Sequence, residues 1–107
     1  MIPIDTVSSH DRLALFGYGL FETLLITEAG PLFLDLHWQR MNEGATFLGL
    51  KLPEKIEWVK RIKKSIKETL STVPYALRVT LSAGSPLADL PPQILFHERA
   101  LPYTLAQ

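Results

Sequence analysis

With 107 residues, 47% of them apolar and 21% charged, the chain can bury one hydrophobic core and is too ordinary in composition to be disordered. Eleven basic residues cancel eleven acidic ones, so the basic excess that marks a nucleic-acid binder is missing. Cysteine is absent, which excludes disulfides and thiolate metal sites, and His10, His37 and His97 are too scattered to propose any other metal site.

The first twelve residues are polar, and Pro3 with the Ser8-Ser9 pair argues for extended chain rather than helix. They hold no basic stretch followed by an apolar run, and no apolar run elsewhere approaches the length of a membrane span. A cytoplasmic protein with no membrane partner and no nucleic-acid partner is the expectation.

FGYG (residues 16–19) places two glycines around Tyr18, a pattern for a sharp turn that lets backbone approach a ligand closely. FETLLIT (21–27) mixes aromatic and β-branched residues and predicts a strand. EAGP (28–31) is a turn signal, and PLFL (31–34) is read as the returning strand of a hairpin. Asp35 is expected to cap a helix over LHWQRMNEGATFLG, with Leu36, Met41, Ala45 and Leu48 inward and Trp38 and Phe47 at the flanks. Gly44 within that helix costs about 1 kcal/mol relative to alanine, which suggests close packing against another element. Gly49 closes it.

After Pro53, residues 54–71 carry the clearest helical period, with Ile56, Val59, Ile62, Ile66 and Leu70 on one face and lysines on the others. YALRVTLSA (75–83) alternates as a strand should, GSPLADLPP (84–92) is a loop, and QILFHER (93–99) is a last strand. The order β-β-α-α-β-β predicts an α+β domain: a mainly antiparallel sheet with two helices on one face. Residues 1–99 form that domain and residues 100–107 have linker character.

His37 and Arg40 sit three residues apart on one helix face. Arg40 offers a planar donor fork suited to a phosphate or carboxylate, against the plainer reading of a surface arginine. Glu22, on a strand among apolar residues, needs a partner if buried, and Arg40 and His37 are the obvious ones; the alternative is a solvent-facing edge glutamate. His37 is equally a packed, hydrogen-bonded histidine with no chemical part. The basic cluster Lys60, Arg61, Lys63 and Lys64 is read as the wet face of an amphipathic helix.

Residues 16–50 as a block, FGYGLFETLLITEAGPLFLDLHWQRMNEGATFLGL, together with ALRVTLSAG (76–84), resemble the N-terminal domain of the class IV aminotransferases, the fold-type IV pyridoxal-phosphate enzymes. HWQRM matches the family's H-x-x-R-L with methionine for leucine, and Gly17, Gly19, Leu20, Phe21, Glu22 and Thr23 fit its glycine-turn and first strand. The resemblance covers residues 11–107. It implies Arg40 as the cofactor-phosphate ligand, Glu22 and His37 in its support, and Phe16, Tyr18, Phe21, Ser82, Ala83 and Gly84 around the substrate. No arginine follows Gly84, unlike D-amino-acid aminotransferases, and Leu25 stands where branched-chain aminotransferases carry one. Arg78 precedes the loop and is set aside as a replacement.

The pattern is therefore most like the 4-amino-4-deoxychorismate lyases of the folate branch, which release pyruvate and 4-aminobenzoate. Branched-chain or D-amino-acid aminotransferase fragments and a non-catalytic binding or assembly domain remain as alternatives. The resemblance also implies a homodimer, or pairing with a C-terminal domain, and a small-molecule amino substrate. The family's cofactor lysine lies downstream of these motifs. Lys51, Lys55, Lys60, Lys63, Lys64 and Lys67 all fall in or near the second helix, so the 107 residues alone are expected to be inactive.

Overall fold

A computed structural model describes residues 7–101; residues 1–6, and residues 102–107 of the expected linker, lie outside the described residues. The described residues form an α+β fold around a four-stranded antiparallel sheet of order β2-β1-β3-β4. In chain order the elements are α1 (Arg12–Phe16), β1 (Gly19–Thr27), β2 (Gly30–Pro31), α2 (Leu34–Leu48), α3 (Lys55–Glu68), β3 (Tyr75–Ser82) and β4 (Ile94–Arg99).

Strand alternation decides what each face of the sheet carries. Leu24 and Ile26 on β1, with Tyr75, Leu77, Val79 and Leu81 on β3, are buried against Met41 and Ala45 of α2 and Trp58 and Ile62 of α3. The register pairs Glu22 with Val79 and Thr23 with Arg78 on β1–β3, and Arg78 with His97 on β3–β4. Phe21, Thr23, Arg78, Thr80, Leu95 and His97 therefore share the face opposite the two long helices.

Three local expectations are corrected. PLFL is not a strand: β2 is two residues long, and Leu32 leaves the ladder after donating to the Leu25 carbonyl (3.0 Å). The cause is Phe33, whose φ of 54° swings the chain into α2 as its N-cap. Asp35 is thus inside the first turn rather than at the cap, and its carboxylate meets Lys55 Nζ at 2.8 Å. Thirdly, residues 7–12 do not simply run extended, because Asp11 caps the short helix α1 and Gly17 ends it at a φ of 66°.

The helix faces also differ in rotation from the sequence reading. On α2 the inward stripe is Leu34, Trp38, Met41, Ala45 and Leu48, while Leu36 is half exposed and Phe47 is out in solvent. On α3, Ile56 is 82% exposed and Leu70 lies beyond the helix, because Trp58 takes the central position with its ring 5.6 Å from Trp38. A tryptophan covers far more apolar area than an isoleucine, so its burial sets the helix rotation. Gly44 does pack closely: a Cβ there would lie 3.1 Å from both Leu20 methyl groups. With Gly44 over Leu20 and His37 over Glu22, α2 runs back along β1 in the opposite direction.

Candidate functional site

Because side chains alternate along β1, Phe21 and Glu22 leave the strand on opposite sides. The residues named from the sequence accordingly separate into three groups.

Glu22 projects towards α2. His37 Nδ1 lies 2.6 Å from Glu22 Oε1, and Arg40 Nε lies 3.6 Å from the same oxygen. The Glu22 and His37 side chains are almost covered, at 11% and 13% exposure, whereas Arg40 is 58% exposed. An ionised carboxylate can only accept, so Nδ1 carries the hydrogen in this pair and fixes the imidazole ring. Arg40 approaches Glu22 through Nε at a distance longer than a hydrogen bond, and most of its side chain is in solvent. A mostly exposed guanidinium beside a covered carboxylate can take an anion such as a phosphate monoester.

The second group lies on the opposite face. The Arg78 guanidinium sits 4.7 Å from the centroid of the Phe21 ring, a cation–π contact. Its Nε is buried with no hydrogen-bond partner among the described residues. Sequence reasoning set Arg78 aside for preceding the loop. The register places Arg78 diagonal to Phe21 on one surface. Alternation from Phe21 was the signal that could have found it.

Ser82, Ala83 and Gly84 form the third group, and all three are buried. The Ser82 hydroxyl donates to Asp11 Oδ2 at 2.8 Å and accepts from Gln93 N at 3.0 Å. Ser82 therefore cannot line a pocket wall with its hydroxyl; the side chain is spent on holding β3 to the segment before α1. Phe16 is 76% exposed at the end of α1, and Tyr18 is half buried beneath the Arg12 guanidinium, 4.9 Å from its ring centroid. Asp11 and Arg12 were missed from the sequence. Their only local signal was an aspartate at N-cap spacing before a glycine-terminated apolar turn.

The described residues contain no cluster of three metal-ligating side chains, and no described helix is long and apolar enough to cross a membrane.

A strand-turn-helix unit with an anchored, outward-reaching arginine, set on this sheet order, defines a class. A model of the amino-transferase class IV family matches residues 19–105, and the chain belongs to that family. Among curated proteins it is similar to the bifunctional aminodeoxychorismate lyase / D-amino acid transaminase of Mycobacterium tuberculosis. That match is 27% identical over 78 residues, 71% of this chain and 27% of the relative.

Among solved structures it is similar to a Legionella pneumophila protein assigned as 4-amino-4-deoxychorismate lyase. The TM-score is 0.74 at 28% identity, covering 97% of this chain and 40% of that one. It shares its fold with a hypothetical aminotransferase of Mycobacterium tuberculosis, TM-score 0.76 at 23% identity, covering 95% of this chain and 36% of that one. A pyridoxal-phosphate-bound form of that protein matches with a TM-score of 0.75. The chain thus spans between about a quarter and two-fifths of the length of these relatives.

Proposed function

We propose that this chain is the small domain of a pyridoxal-phosphate-dependent class IV enzyme, and that the reaction is pyruvate elimination from aminodeoxychorismate to give 4-aminobenzoate. The observation that carries the reading is the convergence of Glu22, His37 and Arg40, with two members covered and the cation reaching out. The donor set fits the phosphate end of the cofactor: one mostly exposed guanidinium whose Nε lies 3.6 Å from the Glu22 carboxylate. The aldehyde end has no counterpart here. All six lysines are exposed, and they sit on α3 or in the connection leading to it. The imine lysine then comes from a separate segment, supplied by continuation of the polypeptide or by association.

When bound, pyridoxal phosphate supplies an electron sink for bond cleavage at the substrate's α-carbon. This chain's residues supply position and charge. Arg40 holds the phosphate, and Glu22 keeps the guanidinium from swinging away while His37 closes the other side of the carboxylate. On the open face, the half-buried Arg78 guanidinium lies against the exposed Phe21 ring, which flattens the floor beside it. That pair suits a substrate carboxylate next to a planar ring.

The lyase reading is preferred to an aminotransferase because the loop after Gly84, residues 85–92, carries no second cation for an amino acid's carboxylate. The mycobacterial relative's printed name joins both activities, so the assay must test both. On the same reading the open face is covered by the lysine-bearing segment, and two such assemblies pair as a homodimer in the cytoplasm.

The test is a spectroscopic titration of the protein, expressed in its natural reading frame, with pyridoxal phosphate, followed by an assay for pyruvate release. Arg40→Ala is expected to weaken cofactor binding by about a hundredfold, the scale of one lost charge-assisted phosphate contact. Equal affinity in wild type and Arg40→Ala would remove the phosphate assignment. Binding without pyruvate release, but with transfer of an amino group to a keto acid, would replace the lyase by the aminotransferase.

A further inference from the structure

Gly84 has both of its backbone polar groups captured by one dipeptide. Its N–H donates to Asp11 Oδ1 at 2.9 Å. Its carbonyl accepts from the Arg12 backbone N–H at 2.9 Å and from Arg12 Nε at 3.1 Å. Arg12 Nη2 reaches one residue further back, to the Ala83 carbonyl at 2.8 Å. The Asp11 carboxylate is 1% exposed and is saturated by three donors: Leu13 N, Gly84 N and the Ser82 hydroxyl. Burying a carboxylate is costly unless donors replace its water, so such a group is kept where it fixes something.

What it fixes is the exit of β3. Gly84 has a φ of 67°, and a Cβ there would lie 2.3 Å from the Leu90 carbonyl oxygen, so the chain can turn here only as glycine and only with Leu90 close by. Beyond it, Ser85 and Leu90 exchange N–H and C=O bonds, both 2.9 Å, making residues 85–90 a small closed loop with Leu87 fully exposed at its tip. The loop's internal bonds set its shape, but its direction is set at Gly84. The same Arg12 guanidinium also lies over the Tyr18 ring, and Ala83 N donates to the Tyr18 carbonyl at 3.2 Å. One dipeptide thus ties the glycine turn before β1 to the loop after β3.

We infer that Asp11 and Arg12 are positioning residues for the substrate side of the site: they hold Gly84, and through it the 85–90 loop and Tyr18, without touching the cofactor side formed by Glu22, His37 and Arg40. Both lie before residue 19, outside the stretch that the family model matches. The inference rests on the proposed enzyme reading for its functional half and on geometry alone for its structural half.

Two measurements separate those halves. The first is amide hydrogen exchange at Gly84, Ser85 and Leu90, in the protein as encoded and without any ligand. Arg12→Ala is expected to speed exchange at these amides by about tenfold or more, the loss of a charge-assisted bond, while the β1–β3 ladder amides keep their protection. Asp11→Asn, which retains Oδ1 as a neutral, weaker acceptor for the two amides and replaces the oxygen facing Ser82, is expected to fall between wild type and Arg12→Ala. Unchanged protection at Gly84 in Arg12→Ala overturns the positioning role outright, as does an equal loss of protection throughout the sheet.

The second measurement is kinetic. Arg12→Ala is expected to raise KM for the substrate by about tenfold with pyridoxal-phosphate affinity within about twofold of wild type, and Arg12→Lys to recover part of the loss. Cofactor affinity falling in step with KM overturns the separation of the two sides. If the wild-type protein binds no cofactor, the enzyme reading fails, whereas the exchange experiment still decides whether Asp11 and Arg12 hold the loop.

Discussion

The two faces of this sheet are built from the same strands and obey opposite rules. On the helix-covered face, Leu24, Ile26, Leu77, Val79 and Leu81 are at most 1% exposed, and the strand carboxylates there are met: Glu22 by His37 and Arg40, and Glu98 by the Thr69 and Ser71 hydroxyls. On the other face, Phe21 is 59% exposed, and Arg78 lies against its ring with Nε unpartnered among the described residues. The carboxylates on the covered face are paired because burial leaves them little water, although Trp58 Nε1 is buried there with no hydrogen-bond partner among the described residues. The open face carries an aromatic and a cation in contact, the aromatic mostly in solvent. Residues that a domain's own packing does not use are the ones to examine for recognition.

That contrast can be tested from its strongest term downward. Leu77→Ala on the covered face is expected to cost about 2–5 kcal/mol in denaturant unfolding, the loss of a large buried side chain plus the cavity it leaves. A loss below about 1 kcal/mol would mean that the helices do not seal this face. Glu22→Ala removes the acceptor beneath His37 and is expected to cost about 1–3 kcal/mol. Arg40→Ala at the rim of the same cluster should change stability by under about 0.5 kcal/mol, because most of its side chain is in water. Equal losses for the two would make Arg40 a structural partner of Glu22.

Gly44→Ala sharpens the picture of how α2 rests on β1. The helix gains about 1 kcal/mol of propensity, while the Leu20 methyls at 3.1 Å must give way, so the net change is expected within about 1 kcal/mol of zero. A loss above about 2 kcal/mol would show that Leu20 has no room to move. The smallest effect belongs to the open face. Arg78→Met should shift thermal unfolding by no more than about 1 kcal/mol, the scale of one half-exposed cation–π contact, while abolishing recognition of a substrate carboxylate. A large stability loss there would mean that Arg78 is part of the fold rather than spare.

Much of this was legible in the sequence. Alternation over YALRVTLSA identified β3, and the aromatic and β-branched content of FETLLIT identified β1. The i,i+3 spacing of His37 and Arg40 put both on the α2 face that meets Glu22. The failures were those of residues whose conformation is fixed from elsewhere. Phe33 in a left-handed conformation shortened β2 and displaced the expected cap from Asp35, which no propensity for phenylalanine would suggest. Ile56 fitted the α3 stripe by spacing and lost its place to Trp58 on the strength of area.

By itself, then, the sequence determined the α+β class, most element types, the family likeness and the shared helix face of His37 and Arg40, because these depend on period and on near neighbours in the chain. Tertiary structure alone decided that Glu22 meets His37 and Arg40, that Arg78 lies against Phe21, and that Asp11 and Arg12 grip a glycine more than seventy residues away. Contacts of that range depend on strand register and loop closure, which are set when the sheet assembles and leave no period in the sequence to read.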